Sequence, residues 1–255
     1  MRRFAWWTAL LLFLLSGCAG QYSAAAGGAE IPEEVLQSLE EDVLAALVEA
    51  PKYIALTFDD GPRRDTTERL LNGLQERGAA ATFFVVGEQI PGNEDLIRRM
   101  RAEGHQVGNH TYSHVRLVKS EKDTVLEEIQ KTEVVLTELL GEGSYWLRPP
   151  YGRITPSQAA EIRTPMIYWS LDPQDWKLLD AEKVADDVVT QVKSGDIILL
   201  HDFYSTSVDA ALDIIDRLQA EGFAFVTVEE LFQINGIVPQ AGVLYAAPDK
   251  IRSPS

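Results

Sequence analysis

Two adjacent carboxylates, Asp59 and Asp60, follow directly on a short apolar run and precede a Gly-Pro turn. Residues 53–58 are rich in β-branched and aromatic side chains, which predicts a buried strand with both acids at its C-terminal end. Parallel α/β folds carry their active-site loops at that end of their strands. Because neighbouring residues project in different directions, the two acids can have different tasks. The simpler alternative is an Asp-Asp-Gly cap that only turns the chain.

Two histidines, His110 and His114, lie four residues apart after a later predicted strand. On one helical turn they would face the same way and could reach a single ion. Two imidazoles and one carboxylate, with positions left for water, are an arrangement used for catalytic zinc and related divalent metals. We expect Asp60 to supply the third ligand. A pair of unrelated surface histidines is the alternative, but the chain has only 4 histidines.

Three further polar segments follow predicted strands. Arg148 stands on a stiff Pro-Pro turn, where it could form a fixed pair with a carboxylate. The segment 172–176 contains Asp175, and an acidic turn beside a buried tryptophan is its simpler interpretation. His201 ends another strand, where a histidine facing the core would need no functional role. Each segment alone is weak evidence, so the prediction of a site depends on their combination.

The elements that would position these residues alternate between apolar strands and capped helices. A capping box at 65–68 predicts the start of one helix, and apolar residues at helical spacing predict a long helix over 120–141. This alternation in one domain predicts a parallel α/β architecture, with an irregular (β/α) barrel of about seven strands favoured over an open sheet. The predicted strands cover 53–58, 81–86, 106–109, a segment that ends at 147, 166–171, 197–200 and 223–227.

Composition and missing motifs argue against several functions. The formal net charge of −16 disfavours a nucleic-acid partner. A glycine-rich phosphate loop follows none of the predicted strands, which counts against a nucleotide-binding sheet. The sequence contains no Gly-x-Ser-x-Gly elbow, so a serine esterase is disfavoured. Cys18 is the only cysteine, which excludes an intramolecular disulfide and makes thiol catalysis in the domain an unattractive hypothesis.

The first residues resemble an export signal. Arg2 and Arg3 precede a mainly apolar run over 4–15, which is too short for an ordinary membrane-spanning helix but suits a secretory signal. The segment 15–18, Leu-Ser-Gly-Cys, resembles a lipobox and predicts lipidation of Cys18; a plain secretory signal is the alternative. We therefore expect an exported protein that is lipid-anchored on the outer face of the bacterial cytoplasmic membrane, in the cell envelope.

The predicted domain organisation follows from these segments. The small and polar residues after the lipobox predict a flexible tether, and apolar spacing after Pro32 predicts a helix that packs on the domain. The end of the chain lacks periodicity. The predicted parts are a lipoprotein signal peptide over 1–17, the tether over 18–31, the helix over 32–50, the barrel over 51–236 and a tail over 237–255.

Together the five polar segments resemble the polysaccharide deacetylases of the NodB-homology family, also called carbohydrate esterase family 4. The resemblance covers roughly residues 53–232 and implies a distorted (β/α) barrel, in agreement with the strand count. It also implies a hydrolase that acts on an acetylated polysaccharide. The segments that carry the resemblance are 57–60, 110–114, 148–151, 172–176 and 199–201.

The resemblance implies a role for each residue on the metal side of the site. Asp60, His110 and His114 would hold a divalent metal ion, for which we expect Zn²⁺, with Co²⁺ or Mn²⁺ as alternatives. Asp59 would be the general base that takes a proton from water. Arg148 would orient Asp59, and we expect the pair to keep that carboxylate ionised near neutral pH.

The remaining implied roles concern proton delivery and substrate binding. His201 would be the general acid that protonates the departing amine, and Asp175 would favour its imidazolium form. The backbone N–H of Tyr151 would help to stabilise the oxyanion. Tyr151 and Trp176 would offer flat faces to a sugar ring, and Leu199 is expected to line the same substrate site.

The expected function is the hydrolytic removal of N-acetyl groups from an envelope polysaccharide. Export favours peptidoglycan N-acetylglucosamine or N-acetylmuramic acid as the target. The alternatives are an O-acetyl esterase that acts on acetylxylan and a catalytically silent glycan-binding module. A basic mouth that attracts an anionic polymer is a further hypothesis, with scattered solvated charges as the alternative. The cations concerned are Arg63, Arg64, Arg116, Lys119, Arg153 and Lys177.

Overall fold

A computed structural model gives the strands and helices of the domain. The structure describes residues 51–254 and Gln37. The predicted signal peptide and tether, with Cys18, lie outside the described residues, and of the predicted N-terminal helix only Gln37 is described. Within the described part of the chain, no helix combines the length and the apolar character needed to cross a membrane.

The described residues form eight strands, the first seven parallel and the last antiparallel. The strands are β1 Lys52–Asp59, β2 Thr82–Val85, β3 Gln106–Asn109, β4 Met166–Ile167, β5 Ile197–His201, β6 Phe223–Phe225, β7 Leu244–Ala247 and β8 Lys250–Arg252. The helices are α1 Arg64–Arg77, α2 Glu94–Ala102, α3 Lys122–Leu140, α4 Pro156–Ala159, α5 Asp175–Leu178, α6 Ala181–Gln191, α7 Ser205–Ala220 and α8 Val228–Ile234.

Parallel pairing closes the strands into a ring. β1 pairs with both β2 and β5, and β2 pairs with β3. Isolated bridges then join Asn109 to Leu147, Leu147 to Met166, and Leu171 to Ile198, which leads from β3 through β4 back to β5. β6 pairs with the first residues of β1, and β7 pairs with β4. The predicted irregular (β/α) barrel with about seven parallel strands is confirmed.

Alternation along β1 decides which side chains face the inside of the barrel. Leu56 and Phe58 belong to a large hydrophobic cluster that includes buried residues of α1, α6 and α7. Ala55 belongs to a smaller cluster built from several strands and from α8. Because side chains alternate along a strand, Thr57 and Asp59 share the inner face with Ala55. Asp59 is therefore directed to the inside of the barrel at its C-terminal edge.

The strands differ from the prediction at three places. The predicted strand that ends at 147 is reduced to the bridging residue Leu147, and the predicted strand 166–171 is reduced to β4. The predicted tail over 237–255 was wrong, because β7 and β8 form there and β7 pairs with β4. β7 is four residues long and entirely buried, so it is too short to show a periodicity in the sequence.

The predicted capping box at 65–68 was also wrong. α1 begins at Arg64 with Arg63 as its N-cap, and Asp65 lies inside the first turn. The backbone N–H of Arg63 instead donates to Thr67 Oγ1 at 2.8 Å. Capping boxes occur in other helices of the described residues, where Thr155 and Thr227 cap α4 and α8.

The burial of β7 leads to a prediction about stability. Leu244 is 1% exposed, and we expect Leu244→Ala to lower the free energy of unfolding by about 2–5 kcal/mol, because the change removes buried methyl groups and leaves a cavity. Urea unfolding followed by circular dichroism measures the loss. Val238→Ala is the matched control, since Val238 is 86% exposed and should change little. Equal midpoints for Leu244→Ala and the wild type would show that β7 does not belong to the folded domain.

Candidate active site

The polar residues singled out in the sequence meet at the C-terminal ends of the parallel strands. Asp59 is the last residue of β1, and His201 is the last residue of β5. These two residues are register partners on neighbouring strands. His110 follows β3 directly, and Arg148 follows the bridging residue Leu147. Four separate segments of the chain therefore meet at one site, because parallel strands share the same C-terminal edge.

Asp59 forms a buried ion pair with Arg148. Arg148 is fully buried and Asp59 is 3% exposed. The Nη1 of Arg148 donates to Asp59 Oδ1 at 2.8 Å and to Thr57 Oγ1 at 2.7 Å, while Nη2 donates to the backbone oxygen of Tyr168 at 2.8 Å. The guanidinium carbon also lies 4.1 Å from the ring centroid of Phe84. These contacts hold Arg148 in one orientation, and through it they orient the Asp59 carboxylate.

Burial and Arg148 have opposite effects on the charge of Asp59, and the expectation that Asp59 is ionised near neutral pH stays a prediction. Burial raises the pKa of Asp59 above its ordinary value, and the charge and hydrogen bond of Arg148 offset only part of that rise. Burial likewise lowers the pKa of Arg148, with Asp59 opposing the change. A carboxylate with a raised pKa binds a proton more readily, which suits a general base that works near neutral pH.

Asp60, His110 and His114 bring three potential ligand atoms together. Asp60 Oδ1 lies 3.3 Å from His114 Nε2 and 3.6 Å from His110 Nε2. One ligand atom from each residue lies within 4.8 Å of the other two. Asp60 Oδ1 is buried and has no hydrogen-bond partner among the described residues. A buried carboxylate oxygen without a donor is costly unless a cation satisfies it.

The protonation of His110 strengthens the case for a cation. Burial lowers the pKa of His110 to about 3, so the ring is neutral at physiological pH. Its Nδ1 lies 2.7 Å from the backbone oxygen of Arg148, which requires the proton to be on Nδ1. The Nε2 lone pair then faces Asp59 Oδ2 and Asp60 Oδ1, each at 3.6 Å. Electron pairs that face each other in this way fit a bound divalent cation.

The two histidines do not lie on a helical turn, which corrects the geometry expected from their spacing. Residues 110–116 form an irregular loop, and Thr111 and His114 have φ angles of 66° and 54°. The rings nevertheless approach each other, with centroids 4.9 Å apart. The two left-handed residues turn the loop back on itself, so His114 reaches the same ion position as His110 by a different path.

Glu128 supports this histidine loop, and the sequence analysis did not identify it. Its carboxylate accepts the backbone N–H groups of Tyr112 at 3.1 Å and Ser113 at 2.7 Å, and the Ser113 hydroxyl at 2.9 Å. Asn109 Oδ1 accepts the backbone N–H of Thr111 at 2.8 Å. Glu128 lies among the buried residues of α3, together with Val125. Glu128 is an acid on the side of α3 that carries the apolar residues. An acid at such a position is rarely buried without a partner, and this could have indicated that Glu128 binds another part of the chain.

His201 and Asp175 form the second charged pair of the site. Asp175 Oδ1 lies 2.9 Å from His201 Nδ1, and Asp175 Oδ2 accepts the backbone N–H of His201 at 2.8 Å. Burial by itself would lower the pKa of His201, but the hydrogen bond and charge of Asp175 outweigh it, and with Asp59 and Asp60 they raise the pKa to about 9. His201 is therefore an imidazolium at neutral pH and can donate a proton.

We expect Asp175→Asn to lower the pKa of His201 substantially, because the change removes the charge but keeps the shape of the side chain. Titration of the histidine Cε1–H signal by NMR measures this pKa. The folded pKa of about 9 exceeds the ordinary value of 6.5. The pair therefore stabilises the wild type fully below the ordinary value, and this contribution is lost as the pH rises through the folded pKa. An unchanged His201 titration in Asp175→Asn would contradict the assignment.

Asp202 is a further buried acid that the sequence analysis left without a role. It is 1% exposed, and the hydroxyl of Thr67 donates to its Oδ2. Burial raises the pKa of Asp202 to about 7, although the hydrogen bond from Thr67 opposes the rise. A Cβ on Gly61 would overlap the Asp202 carboxylate. The turn after Asp60 therefore requires glycine at position 61, because Asp202 occupies the adjacent space.

The residues predicted to bind substrate differ in their exposure. Tyr151 and Trp176 are 49% and 48% exposed, so both offer free ring surface. The Tyr151 ring packs 4.8 Å from the His114 ring. Its backbone N–H has no acceptor among the described residues, which leaves it free to donate to a ligand. Leu199 lies on the face of β5 that also carries His201, but it is 3% exposed, and its role in substrate binding stays a prediction.

The cations of the predicted basic mouth differ in the side chains that they contact. Arg63 pairs with Asp65 at 3.0 Å, and both terminal nitrogens of Arg64 pair with Asp95, so these two arginines are largely neutralised. Lys177 contacts the uncharged side chain of Gln174. The other three cations surround a pocket next to Tyr151. Of the six cations in the predicted basic mouth, the three that line this pocket lack an acidic partner among the described residues and form a basic region on one side of the site.

The barrel carries a proton acceptor, a proton donor and a candidate metal cluster at the C-terminal ends of its strands. This is the organisation of a hydrolase of the carbohydrate esterase type. Comparison with known proteins identifies the family within that class. Residues 48–164 match the family model described as polysaccharide deacetylase. A peptidoglycan-N-acetylglucosamine deacetylase of Bacillus cereus is 38% identical over 187 residues, which cover 71% of this chain and 68% of the relative. The chain belongs to the polysaccharide deacetylase family, and the resemblance stated from the sequence is confirmed.

Two further similarities describe the breadth of that family. A peptidoglycan-N-acetylglucosamine deacetylase of Listeria monocytogenes is 35% identical over 207 residues, and this chain spans 44% of its length. A family 4 acetyl xylan esterase of Clostridium thermocellum, solved with a cobalt ion, superposes with a TM-score of 0.74 at 32% identity, covering 78% of this chain and 100% of the esterase chain. The family fold is therefore shared by proteins named for N-acetyl and for O-acetyl substrates.

Proposed function

We propose that this protein hydrolyses N-acetyl groups of peptidoglycan, with N-acetylglucosamine as the first candidate and N-acetylmuramic acid as the second. The observation that carries the proposal is the register pairing of Asp59 with His201 beside the Asp60, His110 and His114 cluster. A proton acceptor and a proton donor then flank a position where a cation would bind. These three functions suit amide hydrolysis, because water is a poor nucleophile, the acetyl carbonyl is a poor electrophile and an amine cannot leave as an anion.

Asp60, His110 and His114 are the residues that would hold the divalent metal. We propose Zn²⁺, with Co²⁺ or Mn²⁺ as alternatives, because a site of two imidazoles and one carboxylate suits these ions. The lone pairs of His110 Nε2 and of the unpartnered Asp60 Oδ1 support this assignment. When bound, the ion would polarise the acetyl carbonyl and lower the pKa of water.

The side chains around this position would move the protons. Asp59 would take a proton from the attacking water, and the burial that raises its pKa makes it an effective acceptor. The backbone N–H of Tyr151, which has no acceptor among the described residues, would donate to the oxyanion. His201 would deliver the proton from its Nε2 to the amine nitrogen as the C–N bond breaks, because Asp175 binds its Nδ1.

A second candidate function is the hydrolysis of O-acetyl groups on xylan. It is favoured by the structural similarity to the acetyl xylan esterase, which extends over the whole esterase chain. The same proton acceptor would serve an ester, whereas an alkoxide needs less help from His201 to leave than an amine does. A catalytically silent glycan-binding module is disfavoured by Asp59 and His201, since binding alone requires neither a buried proton acceptor nor an imidazolium donor.

Acetate release across a panel of polymers tests the proposal. The panel contains peptidoglycan, chitin oligomers and acetylxylan, each with and without a chelator, and metal content is measured in parallel. We expect release from peptidoglycan that stops with the chelator and returns when Zn²⁺ is added. Release from acetylxylan alone would favour the esterase. A silent module would release no acetate from any polymer, in either metal state.

We also propose that the protein is exported and anchored to the membrane through a lipid on Cys18. The proposal is based on three features of the sequence: the basic residues Arg2 and Arg3, the short apolar run over 4–15, and the small residues before Cys18. Such an anchor would keep the enzyme next to its wall substrate. Metabolic labelling with a fatty acid probe tests it: label that enters the wild type and is lost in Cys18→Ala supports the anchor, and equal absence of label in both proteins refutes it.

A further inference from the structure

A cationic pocket lies next to the candidate active site. It encloses about 260 Å³, and its lining includes Arg116, Lys119, Tyr151 and Arg153. Arg116 and Lys119 come from the segment between β3 and α3, and Arg153 comes from the segment between the bridging residue Leu147 and α4. The pocket is therefore formed by the fold and does not reflect a charged run of the sequence.

The three cations of this pocket lack acidic partners among the described residues. This distinguishes them from neighbouring cations, since Arg63 pairs with Asp65 and Lys122 pairs with Glu161 at 2.6 Å. The whole chain has a formal net charge of −16, so acids are abundant elsewhere. Three unneutralised cations around one cavity create a local positive potential on an acidic protein, and that potential attracts an anion.

Contacts of the Tyr151 ring connect the pocket to the catalytic position. The guanidinium carbon of Arg116 lies 4.7 Å from the ring centroid of Tyr151. The same ring lies beside His114, with ring centroids 4.8 Å apart. Tyr151 therefore contacts both a cation of the pocket and a candidate metal ligand. A group bound in the pocket would lie on the same glycan chain as the reacting sugar, at close range.

We propose that this pocket binds an anionic substituent of the polysaccharide, a carboxylate or a phosphate, while a neighbouring sugar presents its acetamide to Asp59 and His201. The inference rests on the proposed function and narrows its substrate class to acidic glycans. Arg116 offers a planar fork that suits either anion, while Lys119 and Arg153 add charge at the rim. Neutral glycans such as chitin or acetylxylan could use the catalytic position but would gain nothing from the pocket.

The test compares KM on acidic and neutral polymers for the double variant Lys119→Gln/Arg153→Gln. Arg116 is left in place because it contacts Tyr151. Loss of two exposed charge contacts should raise KM on peptidoglycan fragments about threefold to tenfold relative to KM on chitin oligomers, because exposed ion pairs are weak. The charge-retaining variant Lys119→Arg/Arg153→Lys should keep most of the wild-type preference.

Two controls separate a local effect from the general effect of charge. Lys183→Gln/Lys193→Gln removes the same charge from exposed positions in and after α6, and it should leave the ratio of the two KM values unchanged. The anion is identified by modifying the polymer. Amidation of its carboxylates should abolish the preference if the pocket binds carboxylate, whereas removal of phosphodiester-linked polymers with hydrogen fluoride should abolish it if the pocket binds phosphate.

The outcomes distinguish this inference from the proposed function. If acetate is released but the ratio of KM values is the same in the wild type and in Lys119→Gln/Arg153→Gln, the pocket proposal is wrong and the enzymatic one stands. If no polymer releases acetate, cosedimentation of the protein with insoluble peptidoglycan still tests the pocket. Binding that is weakened in the double variant supports it, and equal binding by both proteins refutes it.

Discussion

Asp59→Asn should lower kcat for acetate release by about 10²–10⁴-fold, the usual contribution of a positioned general base. An amide at this position cannot take a proton from water. The amide oxygen can still accept the hydrogen bond that Arg148 Nη1 donates at 2.8 Å to Asp59 Oδ1. The variant should fold with reduced stability, because the buried Arg148 loses its counter-charge. KM should change much less than kcat, since the change affects proton transfer more than binding. Acetate release under saturating peptidoglycan fragments measures the effect.

The control for Asp59→Asn must show that a lower kcat comes from the missing proton acceptor and not from loss of the bound metal or from unfolding. Metal content and thermal unfolding are therefore measured on the same samples. Asp209→Asn provides a matched change, because Asp209 is an exposed acid on α7 that pairs with Arg69. It should retain wild-type kcat. If Asp59→Asn kept wild-type acetate release with its metal bound, Asp59 would not be the base, and the proposed assignment of proton transfer would fail.

Arg148→Met should lower the free energy of unfolding by about 3–5 kcal/mol, because removing one member of a buried ion pair leaves the other without compensation. Arg148 is fully buried, and it donates hydrogen bonds to Asp59, Thr57 and the backbone of Tyr168. All three acceptors lose their donor in the variant. Denaturant unfolding measures the loss, and kcat should fall as well because Asp59 is no longer held in place.

The pH dependence of Arg148→Met has a definite sign. Burial already raises the pKa of Asp59 above its ordinary value of 3.8, and loss of Arg148 raises it further. The variant should therefore lose stability relative to the wild type as the pH rises from that ordinary value through the raised folded pKa, because the unfolded state releases the proton first. The double variant Asp59→Asn/Arg148→Met should recover part of the loss. A loss in Arg148→Met no larger than that of the exposed control Arg69→Met would contradict a buried pair.

The sequence predicted the residue types of the site better than it predicted the geometry of the site. Asp59 and His201 end strongly apolar strands, so their position at a common edge followed from the strand pattern. The spacing of His110 and His114 indicated one ion, but the helical turn assumed for it was wrong. The turn is an irregular loop held by Glu128, whose three hydrogen bonds come from residues at least 15 positions away. Pattern reasoning over local windows does not include such contacts.

The sequence by itself determined the α/β class, the strand ends that carry the acids and the set of residue types needed for a metal-assisted hydrolysis. These follow from local properties, since apolar periodicity and side-chain chemistry are already present in the unfolded chain. Tertiary structure alone decided that β7 pairs with β4, that burial raises the pKa of Asp59 and lowers that of His110, and that Arg116, Lys119 and Arg153 line one pocket. The reason is that desolvation and charge proximity depend on distances between segments that only the folded chain brings together.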